Sequence, residues 1–286
     1  MLNANCKRLP CKGENAACLQ GSLDTPGYDG NRVLAAIAAL GRARAACACS
    51  NLAPIRLFID TGSVAEVEEI ASWGILSGAT TNPSLLAKED GDPGEIVQRI
   101  CELVRGPVSA EVVSQDVESM VNEGRALREL HQHVTVKVPF NKEGLAATKA
   151  LTDDGIPVNM TLVFSPNQAL LAAASGATYV SCFMGRLDDI SIDSAVVLEE
   201  IADTLRAGGM TSEIIAASIR HPEHVVTAAR LGCEIATVPA KVLEQMLNHP
   251  LTEAGAEKFR ADWESRPEFG EWLRGLTEKR LAATGS

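Results

Sequence analysis

From Ile55 onward the chain alternates short β-rich runs with amphipathic helical stretches, and this alternation constrains the fold more than any other feature. Strand periodicity that repeatedly gives way to helix periodicity marks a parallel sheet whose crossovers are helices. Eight runs are predicted as strands: residues 55–60, 78–82, 108–113, 134–139, 158–164, 178–183, 213–218 and 235–239. Helices are predicted over 64–73, 94–105, 117–130, 145–153, 167–175, 195–206, 222–231 and 241–248. Eight such units close a ring, so the predicted fold is α/β, a single (β/α)8 TIM barrel. A doubly wound open sheet is the rival, but the spacing is regular and no G-x-G-x-x-G turn opens a helix.

The barrel is assigned to residues 55–264. A non-barrel N-terminal extension, 1–54, precedes it, and a C-terminal tail, 265–286, follows. The extension carries more basic than acidic residues, with a Gly-, Asn- and Pro-rich start and an alanine-rich stretch over 33–48 that suits a short helix. It reads as a flexible leader, an organelle-targeting segment or upstream sequence without a role; no continuous apolar core makes it a signal peptide. Residues 254–264, with Phe259 and Trp263 about one turn apart, are predicted as an amphipathic helix that covers its own barrel or packs on a neighbour. Residues beyond Arg266, Trp272 included, carry no readable functional signal.

A length of 286 residues suits one barrel, and 46% hydrophobic residues suffice for a large core. The net charge of −11 repels nucleic acid and anionic membrane surfaces, and no apolar run is long enough to span a bilayer. Neither nucleic acid nor membrane is therefore an expected partner, and an anionic substrate needs a local basic pocket. Of eight cysteines, Cys6, Cys11, Cys18, Cys47 and Cys49 precede the first strand. Cys101, Cys182 and Cys233 sit in apolar surroundings and read as reduced core thiols, which fits a reducing compartment; the cytoplasm is the default expectation, with an organelle the alternative if residues 1–54 are a targeting extension. There is no Cys-x-x-Cys pair, and the histidines lack companion ligands at suitable spacing, so no metal site is expected.

In such a barrel the carboxyl ends of the strands build the active site, so polar residues there invite chemical questions. Lys137 lies between Val136 and Val138 in a strand buried on both faces, where an ammonium costs several kcal/mol unless it is paired or neutral. A salt bridge to Glu111 or Asp60 is the purely structural reading. The chemical reading is an amine that adds to a ketone and forms an iminium, an electron sink. Asp60 and Glu111 are then the acid/base groups, since carbinolamine formation, dehydration and bond cleavage all move protons. Thr161 either holds a water between Glu111 and the nascent imine or is an ordinary β-branched strand residue. Asn82 and Ser181 suit sugar hydroxyls, although Asn82 and Ser84 also suit helix caps. Arg186 and Arg220, with Ser218 and backbone amides, converge after the sixth and seventh strands, where many barrels hold phosphate. His131 and His133 fall at the barrel's opposite end; His221 and His224 start a helix within reach of a phosphate there.

The strings Phe58-Ile59-Asp60-Thr61, Thr80-Thr81-Asn82-Pro83-Ser84-Leu85, Val136-Lys137-Val138-Pro139, Gly185-Arg186 and Ala217-Ser218-Ile219-Arg220 resemble the transaldolases. They are most similar to the short subfamily that includes fructose 6-phosphate aldolases, over about Ile55 to Trp263. The resemblance implies that Lys137 is the Schiff-base lysine, Asp60 the base at the C4 hydroxyl, and Glu111 the acid/base acting through a water on Thr161. It implies donor-hydroxyl contacts from Asn82 and Ser181 and phosphate contacts from Arg186, Ser218 and Arg220. No cofactor or metal is implied. The implied reaction moves a dihydroxyacetone unit from sedoheptulose 7-phosphate or fructose 6-phosphate to an aldose phosphate, as in the pentose phosphate pathway, in a homo-oligomer that is often a decamer. Fructose 6-phosphate aldolases carry glutamine at the Glu111 position and tyrosine at Phe183, so both residues resemble the transferase. Release of free dihydroxyacetone is the alternative, and a sugar-phosphate-binding barrel without catalysis is the other.

Overall fold

The structure, a computed structural model, describes residues 54–284. The expected extension and its five cysteines lie outside the described residues, Pro54 excepted. Eight strands form a closed, all-parallel barrel in sequence order: β1 Arg56–Asp60, β2 Leu76–Thr80, β3 Val108–Glu111, β4 Val134–Pro139, β5 Val158–Val163, β6 Tyr179–Phe183, β7 Glu213–Ala217 and β8 Ile235–Val238. The last strand pairs with the first, Leu57 opposite Ala236 and Ile59 opposite Val238, so no sheet edge is left open.

The connecting helices are α1 Val64–Ser72, α2 Pro83–Leu86, α3 Pro93–Val104, α4 Val117–Leu130, α5 Lys142–Asp153, α6 Pro166–Ala174, α7 Met184–Asp188, α8 Ser194–Ala207, α9 Pro222–Arg230 and α10 Ala240–Leu247. Their starts follow local rules. Asp92, Asp116 and Asn141 each accept a hydrogen bond from the backbone N–H three residues on, capping α3, α4 and α5. Proline opens α2, α3, α6 and α9, where the missing N–H costs nothing.

Side chains alternate along each strand. Outward-facing Ile59, Ala79, Val108, Met160, Val180 and Ala216 pack with Val67, Ile70, Ile100, Leu198 and Ile201 of the helices in the main core. Val136, Val138 and Val158 pack likewise on Met120, Val121 and Leu151. Inward-facing Phe58, Tyr179, Ile215 and Ile235 form an apolar plug inside the barrel. Each buried Ile, Val or Met of this kind contributes about 1.5–3 kcal/mol.

The second strand begins and ends two residues earlier than the alternation predicts, at Leu76 rather than Gly78. Gly78, expected to open the strand, lies in its middle, where the Phe58 ring occupies the space a side chain would need. A Cβ there would come within 2.4 Å of that ring. Asn82 consequently lies past the strand as the cap of α2, accepting from Leu85 N–H at 3.0 Å. The short helices α2 and α7 are also absent from the predicted elements.

The helix expected over 254–264 is present with longer bounds, though its apolar stripe does not cover the barrel: α11 spans Pro250–Glu264, and a further helix, α12, spans Pro267–Thr284. Neither end of the Phe259/Trp263 stripe is buried, and Phe259 is 73% exposed. Trp263 instead meets Phe269 and Trp272 of α12, ring centroids 5.4 and 6.5 Å apart. No described helix is long and apolar enough to cross a membrane.

Candidate active site

Alternation sends every second residue of the strands into the lumen, and near their carboxyl ends these are Asp60, Thr80, Glu111, Lys137, Thr161, Ser181 and Thr237. Register brings the chemistry together. Glu111 of β3 is directly opposite Lys137 of β4, Lys137 is opposite Asn159 of β5, and Asp60 is opposite Thr80.

Lys137 is 5% exposed. Its Nζ lies 3.1 Å from Glu111 Oε2 and donates to the Thr81 carbonyl at 3.0 Å. The salt bridge of the structural reading is thus present, and it directs the amine at the lumen instead of disposing of it. An unpaired ammonium at this depth would cost several kcal/mol, which the carboxylate and the carbonyl offset.

Asp60 Oδ1 accepts from Thr80 Oγ at 2.7 Å, and Thr80 Oγ lies 2.6 Å from Thr237 Oγ, so a hydroxyl chain from β8 and β2 fixes the carboxylate. Burial, the largest influence, raises the Asp60 carboxyl above the usual carboxylate range; nearby Glu111 adds to this, while the Thr80 hydrogen bond and Lys137 oppose it. Such a group can take up a proton near neutrality more readily than a surface carboxylate.

Across the lumen, Asn159 links β3 to β6: its amide donates to Ser109 Oγ at 3.0 Å and accepts from Ser181 Oγ at 2.7 Å. The Ser181 oxygen therefore has its own proton committed and presents lone pairs to the cavity. Thr161 Oγ1 is buried with no protein partner among the described residues. Leaving such a hydroxyl unpaired costs about 1–3 kcal/mol. The next residue, Leu162, has a left-handed φ of 61° where the register to β6 shifts between Met160 and Val163. A bulge of this kind re-aims side chains and concentrates next to active sites.

These groups share one cavity of about 560 Å³ at the carboxyl end of the strands. All ten residues nominated from the sequence line it: Asp60, Asn82, Glu111, Lys137, Thr161, Ser181, Phe183, Arg186, Ser218 and Arg220. His221 and His224 do not. A more open depression of about 820 Å³ lies alongside, sharing Glu111 and lined by Asp116 and Glu143 with no basic side chain, so it repels anions. The positive charge of the first cavity comes from Arg186, whose guanidinium stands 5.1 Å from the Phe183 ring, and from Arg220, paired with Asp189 at 2.9 Å. Lys88, exposed at the rim, adds a further cation that no sequence signal marked.

Thr237 and Asn159 were also missed. Period-two counting from Ile235 and back from Thr161 puts both on the inward face, and that signal would have found them. The buried thiols of Cys101, Cys182 and Cys233 are free, and burial pushes each up to about 12, which makes them poor nucleophiles. No cluster of three or more His, Cys, Asp or Glu among the described residues is placed to hold a metal ion.

A buried lysine within hydrogen-bonding distance of a carboxylate, a second carboxylate of raised basicity and an arginine-bearing rim together suit carbonyl condensation with an anionic substrate. A model of the family described as Transaldolase/Fructose-6-phosphate aldolase matches residues 57–281, which takes in most of α12 as well as the barrel. "Probable transaldolase 1" of Listeria monocytogenes serotype 4b (strain F2365) is 54% identical over 211 residues, 74% of this chain and 99% of the relative. "Probable transaldolase" of Aquifex aeolicus (strain VF5) is 52% identical over 75% of this chain and 99% of the relative. That of Methanococcus maripaludis (strain C7 / ATCC BAA-1331) is 49% identical over 74% and 98%. With near-complete coverage of relatives at half identity, and a lysine-centred cavity at the mouth of a closed barrel, the chain belongs to the transaldolase/fructose-6-phosphate aldolase family.

Proposed function

We propose that the chain is a transaldolase that moves a dihydroxyacetone unit from a ketose phosphate, sedoheptulose 7-phosphate or fructose 6-phosphate, to an aldose phosphate, the exchange used in the pentose phosphate pathway. The single observation that carries this reading is Lys137 Nζ, buried at the cavity and 3.1 Å from Glu111. Glu111 takes a proton from the ammonium, and the freed amine adds to the C2 carbonyl of the donor. Glu111, through a water held by the unpaired Thr161 hydroxyl, protonates the carbinolamine oxygen, and loss of water gives the iminium. Asp60 removes the C4 hydroxyl proton; the C3–C4 bond breaks, its electrons pass into the iminium, and an aldose phosphate leaves. The enamine that remains on Lys137 attacks the acceptor aldehyde, and the steps run in reverse. Asn82 and Ser181 hold donor hydroxyls, and Arg186, Ser218 and Arg220 hold the phosphate. The chemistry is carried by side chains and needs neither cofactor nor metal.

Glu111 and Phe183 favour transfer over release. Phe183 packs edge-on against Phe164, ring centroids 5.6 Å apart, and puts no hydroxyl in the cavity that could help protonate the enamine. The measurement that separates the two is product partition: with fructose 6-phosphate alone, free dihydroxyacetone should form at least about tenfold more slowly than transfer to added erythrose 4-phosphate. Equal rates would make the chain a fructose 6-phosphate aldolase. A sugar-phosphate binder without catalysis predicts neither product, and the shared cavity of Lys137, Glu111 and Asp60 argues against it.

A homo-oligomer is supported by exposed apolar side chains on α11, Leu251 at 76% and Phe259 at 73%. A cytoplasmic site of action is supported by the three free core thiols.

A further inference from the structure

The arginine-bearing end of the cavity is assembled from two segments far apart in sequence: the start of α7 with Gly185 and Arg186, and the turn between β7 and α9 with Ser218 and Arg220. Their spacing sets the distance between the two guanidinium groups. Gly185 N–H donates to the Ser218 carbonyl at 3.0 Å, and a Cβ on Gly185 would come within 2.3 Å of that oxygen and 2.6 Å of Arg220 Cγ. Ser218 itself has a left-handed φ of 57°, a strained backbone that its surroundings must hold in place.

One buried side chain touches both segments. His224, in the first turn of α9, is 6% exposed. Its Nε2 lies 2.9 Å from Asp188 Oδ2 at the end of α7, and its Nδ1 accepts the backbone N–H of Arg220 at 3.3 Å. Asp188 is fixed in turn by the N–H and hydroxyl of Ser194, both at 3.1 Å. Donating through Nε2 while accepting through Nδ1 requires the neutral imidazole in a single tautomer. On the reading that this end holds a phosphate, we propose that His224 is a positioning residue. By tying Asp188 to the Arg220 backbone it sets the spacing of Arg186 and Arg220, so that affinity for phosphorylated substrates, and not the carbon–carbon chemistry, depends on it.

The charged and titratable groups facing the ring are Asp188 of α7 and, from the turn, Arg220 and His221, the latter with ring centroids 3.9 Å apart. Burial and then His221 lower the His224 pKa, while Asp188 opposes them. The neutral form therefore persists to lower pH than for a free histidine. Protonation puts a hydrogen on Nδ1 facing the Arg220 N–H, which removes that acceptor and releases the turn.

The test is steady-state kinetics of the full chain and of His224→Leu and His224→Gln, with fructose 6-phosphate and with unphosphorylated fructose as donors and D-erythrose as the common acceptor, so that both donors give sedoheptulose as a distinct product. His224→Leu should raise KM for fructose 6-phosphate about tenfold, the worth of one or two hydrogen bonds. Its kcat, and kcat/KM for fructose, should stay within about twofold. His224→Gln retains a donor toward Asp188 without a titrating ring, so its KM should lie within about threefold of the parent. The parent-to-Gln ratio of KM should rise as pH falls below the ordinary histidine value of 6.5, with titration of the phosphate itself cancelling in the ratio. Equal losses for both donors, an unchanged KM in His224→Leu, or a ratio flat in pH would each overturn the proposal. If His224→Leu does not fold, the pH dependence of that ratio decides alone. A parent enzyme that turns over neither donor would sink the sugar-phosphate reading, and the proposal with it.

Discussion

The two faces of the barrel strands are built from the same backbone and serve opposite ends. Outward lie Ile59, Ala79, Val108, Val136, Met160 and Val180, packed on helices with nothing polar among them. Inward, one residue along each strand, lie Asp60, Thr80, Ser109, Lys137, Thr161 and Ser181, nearly all buried, with Thr80 bonded to Asp60 and Asn159 joining Ser109 to Ser181. Since side chains alternate with period two, a slip of one residue would exchange the faces, and the outer core is what prevents it. Stability is concentrated on the outer face and chemistry on the inner one, where a buried ion pair, a carboxyl of raised pKa and an unpaired hydroxyl all cost folding free energy.

The largest effect should come from the centre of the inner face. Lys137→Met removes the amine that reaches the Glu111 carboxylate and should lower transfer about 10⁴-fold or more in a fructose 6-phosphate/erythrose 4-phosphate assay. A loss below about tenfold would mean that the inner face does not work through this lysine.

Asp60→Asn should cost about 10²–10³-fold in kcat/KM, and it carries a sign that an outer-face variant cannot imitate. Because the folded pKa of Asp60 lies above its unfolded value, the ionised form costs stability at neutral pH, and that cost fades as pH falls through the folded value. The melting temperature of Asp60→Asn should therefore equal or exceed the parent's at about pH 7, with the gap closing as the medium is acidified. A lower melting temperature at neutral pH would place Asp60 among the stabilising contacts.

Arg186→Ala should raise KM for fructose 6-phosphate about tenfold while leaving the reaction of unphosphorylated fructose within about twofold. Kinetics that do not distinguish the two donors would remove Arg186 from the phosphate end. The smallest change belongs to the outer face. Ile59→Val, one residue from Asp60 but turned into the helix layer, should cost about 1 kcal/mol in chemical denaturation and leave turnover within about twofold. If it impaired turnover as Asp60→Asn does, the division of labour between the faces would be lost.

The same contrast explains what was legible beforehand. Outer-face positions obey a local rule, hydrophobic at every second strand residue, so the strands and the closed barrel follow from periodicity. Chemically unusual inward residues stood out against that pattern, and all ten nominated ones line the cavity. What periodicity alone did not supply depends on partners from distant strands. Gly78 reads as the start of a strand until the Phe58 ring is beside it, Thr237 has no evident role until it reaches Thr80, and Asn159 matters because it joins Ser109 to Ser181. His224, expected within reach of a phosphate by its place at a helix start, instead meets Asp188 of α7, a partner 36 residues earlier that local pattern does not reveal.

The account depends above all on a covalent bond between Lys137 and the donor ketone. Borohydride reduction in the presence of fructose 6-phosphate, followed by proteolysis and peptide mass mapping, tests it directly. The prediction is one reduced three-carbon or six-carbon adduct per chain on the peptide containing Lys137; no adduct, or one on any other lysine, would contradict it.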